Sequence, residues 1–201
     1  MFDLSGRTVV VTGGNGGIGF GLARGVARAG ANVAIWARNE EKNERARGEL
    51  ETLGAKVITV SCDVASEAEI LAAIEQTAGQ ETGGGGKLVV TSSMVEHFGS
   101  PMQAHYAASK GAVGSLVKSL AVRLARHDIQ VNAIQPGWII SEATAAISQS
   151  DDFNEVLMKR IPARRWGDAA DFEGIAVYLA SDESRYHTGD SILIDGAYTI
   201  F

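Results

Sequence analysis

The chain has 201 residues, a length that fits one domain and is enough to bury a hydrophobic core. Hydrophobic residues make up 45% of it and charged residues 21%, a composition that excludes disorder for the bulk of the chain. With 18 basic and 24 acidic residues the formal net charge is −6, so no basic excess supports nucleic acid as the main partner.

Features that would place the protein in a membrane or outside the cell are not expected here. No apolar run approaches the roughly 18 residues of a transmembrane helix, and the N-terminal residues lack the charged and apolar regions of a signal peptide. The single cysteine, Cys62, cannot form a disulfide within the chain. We therefore expect a cytoplasmic protein with no membrane partner.

Short apolar runs rich in β-branched residues alternate with longer segments of helical spacing. The runs predict six buried parallel strands, at residues 8–11, 32–36, 57–60, 88–91, 131–134 and 192–194. The longer segments predict helices at residues 18–29, 39–53, 66–78, 106–126 and 168–180. This alternation predicts βαβ units, hence an α/β fold with a parallel sheet of about six strands and helices on both faces. No change in composition divides the chain, so a single domain over residues 1–201 is expected.

A glycine-rich loop joins the first predicted strand to the first predicted helix, and it reads Thr12-Gly13-Gly14-Asn15-Gly16-Gly17-Ile18-Gly19. Glycines there permit a tight turn and let the backbone approach a diphosphate, which the helix N-terminus favours. Two spacings fit, Gly14-x-Gly16-x-x-Gly19 and Gly13-x-x-x-Gly17-x-Gly19. Because a strand precedes the loop and a helix follows it, the loop predicts a nucleotide-binding site. The alternative is a turn that serves only helix–sheet packing.

The end of the second predicted strand bears on the choice of nucleotide. An acidic residue about 20 positions beyond the glycines would bind the ribose 2′-hydroxyl of NAD. Ala37 stands there instead, and Arg38 follows it. A guanidinium group suits a 2′-phosphate, so the pair favours NADP(H), with NAD(H) as the second possibility. The alternative is that Arg38 is an ordinary surface residue.

Tyr106 and Lys110 stand four residues apart on a predicted helix, so their side chains project from the same face. A phenol is a weak acid–base group at neutral pH, and a neighbouring ammonium group favours its ionised form. Ser93 follows the fourth predicted strand, at the edge of the sheet where ligands bind, and its hydroxyl could hydrogen-bond a substrate carbonyl. Tyrosine and lysine at this spacing also occur on many exposed helices, so the pair alone is not specific.

Together with the glycine loop, these motifs resemble the short-chain dehydrogenase/reductase family, from the first strand to Asp195-Gly196-Ala197-Tyr198 near the C-terminus. The resemblance implies a Rossmann-type, doubly wound sheet. It also implies an NAD(P)-dependent oxidoreductase that interconverts a carbonyl and a secondary alcohol of a small-molecule substrate by hydride transfer. By position, Tyr106 resembles the catalytic acid–base, Lys110 the residue that activates it, and Ser93 the hydroxyl that orients the carbonyl.

The resemblance also implies a set of cofactor-binding residues, with Asp63 and Val64 at the adenine and the residues from 136 onward at the nicotinamide. These residues are Thr12, Gly13, Asn15, Gly17, Ile18, Gly19, Arg38, Asp63, Val64, Tyr106, Lys110, Pro136, Gly137, Ile139 and Ser141. The substrate-binding residues that it implies are Ser93, Tyr106 and Trp138, with core packing as the alternative role of Trp138. A methyltransferase on a similar sheet is disfavoured, because it leaves Ser93, Tyr106 and Lys110 without a role.

Three further expectations concern the rest of the chain. Residues 141–161 are polar and weakly periodic, and in the family they resemble a mobile substrate lid. The apolar C-terminus, residues 192–201, suggests burial against a second copy, in line with the homodimers and homotetramers of the family. The four histidines show no ligand spacing, so no metal site is expected.

The chain departs from the family between Gly79 and Lys87, where a further strand and helix are absent. That segment normally supplies an asparagine to the proton relay, and no residue of this sequence matches it. If the deletion is real, the first and fourth strands should pair directly around a continuous backbone through Gln80. The second hypothesis is therefore a dinucleotide-binding protein with impaired or no turnover.

Overall fold

The structure, a computed structural model, describes residues 2–77, 85–100 and 102–201. These residues form two compact units, each built around its own parallel sheet. The first unit contains residues 2–77 and 168–183, and the second contains residues 85–100, 102–167 and 184–201. A single domain over residues 1–201 stays a prediction, and the two units are described separately.

The first unit is a three-stranded parallel sheet with helices packed on it. Its strands follow the order β1-β2-β3 in space, and its core strand is β2, of which Val33, Ala34 and Ile35 are at most 1% exposed. The elements are β1 (Thr8–Thr12), α1 (Gly17–Arg28), β2 (Asn32–Trp36), α2 (Glu40–Glu51), β3 (Val57–Val60) and α3 (Glu67–Thr77). A late segment completes this unit with a 3-10 turn (Ala169–Phe172) and a helix that we label α7 (Glu173–Ala180).

α1 and α7 pack closely because glycine lies at their contact. A Cβ atom on Gly25 of α1 would stand 2.5 Å from the Glu173 carbonyl oxygen, well inside van der Waals contact. The Glu173 carboxylate also accepts hydrogen bonds from Arg24, at 2.5 Å, and from Arg28, at 2.6 Å. The late segment is therefore fastened to α1 by backbone contact and by two ion pairs.

The second unit is a three-stranded parallel sheet in the order β4-β5-β6. β5 is its buried central strand, and α4 covers it through Val117 and Ala121, which pack against Val131 and Ala133. The elements are β4 (Gly86–Thr91), α4 (Ala104–Leu124), β5 (Ile129–Pro136), α5 (Ala145–Ser148), α6 (Asp151–Arg160) and β6 (Ser191–Ile194).

All six strands occur where the sequence predicted them, and the predicted α/β fold with parallel strands is confirmed. Hydrogen bonds join the described strands into two three-stranded sheets, one in each unit. β1 is an edge strand of the first sheet and β4 an edge strand of the second, so the predicted direct pairing of these strands is wrong for the described part of the chain. Their predicted burial is also wrong in part: Val10 is 41% exposed and Val89 37%, because within its own unit each edge strand is flanked by a strand on one side only. The connection at residues 78–84, with Gln80, lies outside the described residues.

Two helical segments differ from their prediction. The segment 168–180 is a 3-10 turn followed by α7, because Asp168 and Asp171 form a capping box that starts a separate first turn. The predicted lid contains α6, which the weak apolar periodicity of residues 141–161 did not indicate. Within the described residues, every helix is too short or too polar to cross a membrane.

Candidate active site

The glycine loop of the first unit has the geometry of an anion-binding turn. Gly13 and Gly17 have positive φ values of +66° and +51°, a region that side chains disfavour. These are the glycines of the spacing Gly13-x-x-x-Gly17-x-Gly19, so the structure favours it over the other one. A Cβ atom on Gly19 would collide with the Gly13 carbonyl oxygen. No side chain caps the start of α1 at Gly16, so its first N–H groups can face an anion.

The ends of β2 and β3 bring together the residues predicted to contact adenosine. Arg38 Nη1 lies 3.7 Å from Asp63 Oδ2, and the Arg38 side chain is 78% exposed. Asp63 Oδ1 accepts the Ala65 N–H at 3.0 Å, which orders this turn. Val64, an apolar residue, is 56% exposed. An exposed guanidinium, a carboxylate and an exposed apolar side chain thus share one edge of the first sheet.

Asn15 is held by a residue that the sequence did not single out. Its Nδ2 donates to Asn43 Oδ1 at 2.7 Å, across from the loop to α2. Asn43 is buried, although α2 is otherwise rich in charged residues. Nothing in the sequence marks Asn43, because it is one polar residue among the charged residues of α2.

In the second unit, Lys110 lies between Tyr106 and the end of β4. Lys110 Nζ stands 5.7 Å from the centre of the Tyr106 ring and donates to the Thr91 carbonyl oxygen at 3.0 Å. Tyr106 is 38% exposed, so its phenol is accessible. Ser93 is 7% exposed and begins a 3-10 turn (Met94–His97), where its Oγ accepts the Val95 N–H at 3.4 Å. The structure thus places Tyr106 and Lys110 together as predicted, and Ser93 two residues after the strand that anchors the lysine.

Three polar contacts of the second unit were missed from sequence. Ser92 Oγ donates to the Lys110 carbonyl oxygen at 3.2 Å and also bonds Glu96. His97 Nε2 lies 2.9 Å from the side-chain oxygen of Gln135, which is 1% exposed on β5. These bonds fix the turn that follows β4 against both α4 and β5. The His97–Gln135 contact has no signal in the sequence, because β5 also carries Gln130 and Asn132.

The loop after β5 is bound by backbone hydrogen bonds on both of its sides. Gly137 N–H donates to the Ile194 carbonyl at 2.9 Å, and Ile140 N–H donates to Gly167 at 2.9 Å. Ile139 is buried, while the Ser141 hydroxyl forms a capping box with Thr144. Pro136 closes β5. The residues predicted for the nicotinamide side therefore lie on one ordered loop of the second unit.

Trp138 belongs to an aromatic cluster that also includes Phe153 and Trp166. Its ring centre lies 5.4 Å from that of Phe153 and 5.7 Å from that of Trp166, both edge-on. Trp166 Nε1 donates to Asn154 of α6 at 2.8 Å. The cluster therefore anchors α6, a part of the predicted lid, to the loop after β5. Trp138 thus has the packing role that was its alternative, and its role at the substrate stays a prediction.

Other titratable groups do not form a reactive centre in the described residues. These residues contain no group of three or more histidine, cysteine or acidic side chains that could hold a metal ion. Burial raises the pKa of the Cys62 thiol, and the nearby carboxylates of Glu69 and Asp63 raise it further. A thiol kept protonated is a poor nucleophile, so Cys62 is a packing residue.

The chain matches two family models, one over each of its parts. The model described as short chain dehydrogenase matches residues 7–83, and the model described as Enoyl-(Acyl carrier protein) reductase matches residues 76–199. The two matches overlap at residues 76–83, beside and partly within the segment from Gly79 to Lys87 where a strand and a helix were predicted to be missing. The chain belongs to the short-chain dehydrogenase/reductase family.

Known relatives support this assignment over the full chain. Gluconate 5-dehydrogenase of Gluconobacter oxydans (strain 621H) is 31% identical over 249 residues, which cover 100% of this chain and 97% of the relative. The 5-keto-D-gluconate 5-reductase of Escherichia coli (strain K12) is also 31% identical, with 100% and 98% covered. Because these alignments run over 249 positions and this chain has 201 residues, at least 48 positions of each relative have no counterpart here.

A solved structure resembles this chain closely. The crystal structure of a gluconate 5-dehydrogenase from Burkholderia cenocepacia J2315 in complex with NADP and tartrate has a TM-score of 0.90 and 29% identity, and the match covers 100% of this chain and 98% of that one. With these relatives, the predicted class of activity is confirmed: the chain is an NAD(P)-dependent oxidoreductase that interconverts a carbonyl and a secondary alcohol.

Proposed function

We propose that the protein uses NADP(H) to interconvert a secondary alcohol and a ketone of a polyhydroxylated acid, such as a sugar acid. The observation that carries the catalytic part is the Tyr106–Lys110 pair, with Lys110 Nζ 5.7 Å from the ring and anchored on Thr91. Relatives named for gluconate and 5-ketogluconate support the substrate class. In reduction, the ketone gains a hydride and a proton while NADPH becomes NADP⁺.

In this proposal each site residue of the second unit has one role in catalysis or in binding. Tyr106 passes the proton to the substrate oxygen, or takes it back in the oxidation. The Lys110 ammonium stabilises the phenolate that this transfer leaves. Ser93 donates a hydrogen bond to the substrate oxygen and so orients the carbonyl. Pro136, Gly137, Ile139 and Ser141 form the wall that receives the nicotinamide, and Trp138 bounds the substrate.

The first unit fits the phosphates and the adenosine of the nucleotide. Gly13 and Gly17 give the turn its positive φ values, and the uncapped start of α1 offers N–H groups to the pyrophosphate. We assign Thr12, Asn15, Ile18 and Gly19 to the same contact region, and Asp63 and Val64 to the adenine. The bound nucleotide supplies the hydride, which no protein side chain can provide.

The preference for NADP(H) rests on Arg38. Its guanidinium is exposed and its contact with Asp63 is long, 3.7 Å, so it is available to a 2′-phosphate. Ala37 places no carboxylate beside that phosphate. NADP in the Burkholderia cenocepacia structure agrees with this assignment, and NAD(H) remains the second cofactor of the proposal.

The test is turnover with acidic and neutral substrates of the same length. Purified protein with NADP⁺ should oxidise gluconate, and with NADPH reduce 5-ketogluconate, faster than it converts sorbitol or fructose. Turnover of sorbitol and fructose but not of gluconate and 5-ketogluconate would reject a sugar acid as the substrate. Tight NADPH binding without turnover of any carbonyl would instead support the binding protein with impaired turnover that the missing segment suggests.

We also propose a homodimer or homotetramer in the cytoplasm. Ile200 is 82% exposed and Phe201 69%, and a second copy would bury these apolar side chains. The only cysteine of the sequence is buried, which fits a reducing compartment. Light scattering on purified protein measures the assembly, and a monomer at all concentrations would reject it.

A further inference from the structure

Asn43 makes a two-sided amide bridge inside the first unit. It is 2% exposed. Its Nδ2 donates to the Ala37 carbonyl oxygen at 2.9 Å, and its Oδ1 accepts from Asn15 Nδ2 at 2.7 Å. A buried amide needs partners at both ends, and here each end has one, so the side chain is fixed in one orientation.

The two partners of Asn43 belong to segments assigned to different parts of one ligand. Asn15 lies in the loop assigned to the pyrophosphate. Ala37 directly follows β2, and the next residue, Arg38, is assigned to the ribose 2′-phosphate. A backbone bond from Gly13 N–H to the Trp36 carbonyl, at 2.8 Å, already ties the start of the loop to β2. The Asn43 bridge is a second tie, farther along both segments.

We propose that Asn43 is a positioning residue that presets the spacing between the pyrophosphate loop and the 2′-phosphate turn. Covalent bonds fix the distance between these two groups in the nucleotide. Protein segments already held at a matching distance lose less freedom on binding, and the affinity rises accordingly. The inference rests on the proposed function, because it assigns the two segments to one dinucleotide, and it requires no contact between Asn43 and the ligand.

The test measures NADPH affinity by fluorescence titration of the full chain and three variants. Asn43→Leu removes both bonds, Asn15→Ala removes only the bond to the loop, and the third variant combines the two changes. We expect each single change to weaken binding about tenfold, roughly the effect of one hydrogen bond. The double variant should bind NADPH as tightly as the single variant that has the lower affinity, because both changes break the same bridge.

Asn39→Ala is the matched control. Asn39 stands four residues before Asn43, and its side chain caps α2 by accepting the Lys42 N–H at 2.9 Å. This variant should lose thermal stability and keep NADPH affinity within about twofold. If Asn43 served stability alone, Asn43→Leu would likewise lose thermal stability and keep its NADPH affinity.

The outcomes separate the inference from the proposed function. Normal NADPH affinity in Asn43→Leu, or strictly additive losses in the double variant, overturns the inference alone. If Asn43→Leu does not fold, Asn43→Ala decides, because it also removes both bonds, adds no bulk and favours the helix. A parent chain that binds neither NADPH nor NADH overturns the proposed function, and the inference with it.

Discussion

The ammonium nitrogen of Lys110 stands 5.7 Å from the centre of the Tyr106 ring, one helical turn along α4. The same nitrogen donates to the Thr91 carbonyl at the end of β4, which holds it at the strand end. The sheet therefore positions the lysine, and the helix periodicity positions the tyrosine relative to it. This relationship leads to the first prediction.

Replacement of Tyr106 by Phe should abolish turnover and leave NADPH affinity nearly unchanged. The ring keeps its packing and only the group that transfers the proton is lost, an effect of roughly 10² to 10⁴ in rate. Steady-state kinetics and NADPH titration of the purified variant measure both quantities. Tyr186, which is 100% exposed, offers the control: Tyr186→Phe should change neither. An unchanged kcat in Tyr106→Phe would remove this residue from the mechanism.

Ala37 and Arg38, which follow β2, should determine whether the protein prefers NADPH or NADH. The double change Ala37→Asp and Arg38→Ser should move the preference from NADPH to NADH, because a carboxylate binds the free 2′-hydroxyl and repels a 2′-phosphate. A charged contact to phosphate is worth about 1.5–3 kcal/mol, or roughly tenfold to a hundredfold in Kd. Arg47→Ser, which removes an equal charge paired with Glu44 on α2, should leave the ratio of the two Kd values unchanged. A parent that binds NADH more tightly contradicts the assignment.

The contact between α1 and α7 should not tolerate a methyl group. In Gly25→Ala the new Cβ would meet the Glu173 carbonyl at 2.5 Å, so the helices must separate. Such overpacking costs about 1–3 kcal/mol, which corresponds to a fall in Tm of roughly 2–12 °C for a chain of this size. Gly48→Ala on α2 is the control, since a Cβ there meets nothing within 4 Å and should raise stability or leave it unchanged. Thermal unfolding of both variants measures the difference, and equal Tm values would show that the helices are not tightly packed.

Asp190 should contribute to stability at neutral pH and lose that contribution in acid. The hydrogen bond from His187, at 3.0 Å, lowers the pKa of the Asp190 carboxyl below its usual value of 3.8, and the Ser191 N–H adds to this. A carboxyl with a lowered pKa in the folded state stabilises it above the unfolded pKa, and the effect disappears as the pH falls through the folded one. The Asp190 side chain is 59% exposed, so the effect is small.

The measurement is urea unfolding of the parent and of Asp190→Asn from about pH 6 to about pH 3. The difference in their free energies of unfolding should shrink as the pH falls. His187→Gln removes the imidazole that bonds Asp190. The free energy of unfolding of this variant should therefore change less with pH than that of the parent. A difference that grows in acid would mean that the sign of the shift is wrong.

The sequence predicted the strands and the Tyr106–Lys110 pair because both depend on local periodicity. Alternation of apolar runs marks buried strands, and a four-residue spacing places two side chains on one helix face. The sequence did not predict α6, because few apolar residues recur at helical spacing in it. Its start and end are nevertheless marked: Ser150 caps the helix, acidic residues fill its first turn, and Lys159 and Arg160 fill its last.

Other features depend on contacts that no local pattern encodes. Asn43 looks like a polar residue of a charged helix, and only the fold shows that it is buried between Asn15 and Ala37. The Gln135–His97 bond likewise joins residues 38 positions apart. The division into two three-stranded sheets depends on which strand pairs with which, and strands of similar composition do not specify their neighbours.

The fastening of α7 to α1 by Glu173 has a consequence for synthesis on the ribosome. The first unit contains an early and a late part of the sequence. Its sheet is complete by residue 60, whereas Glu173 is made more than a hundred residues later. At about 5–20 residues per second, the nascent chain carries the uncovered face of α1 for roughly 6–25 s. During that interval the α1 surface around Gly21 and Gly25, which the late segment later covers, is open to chaperones and to aggregation.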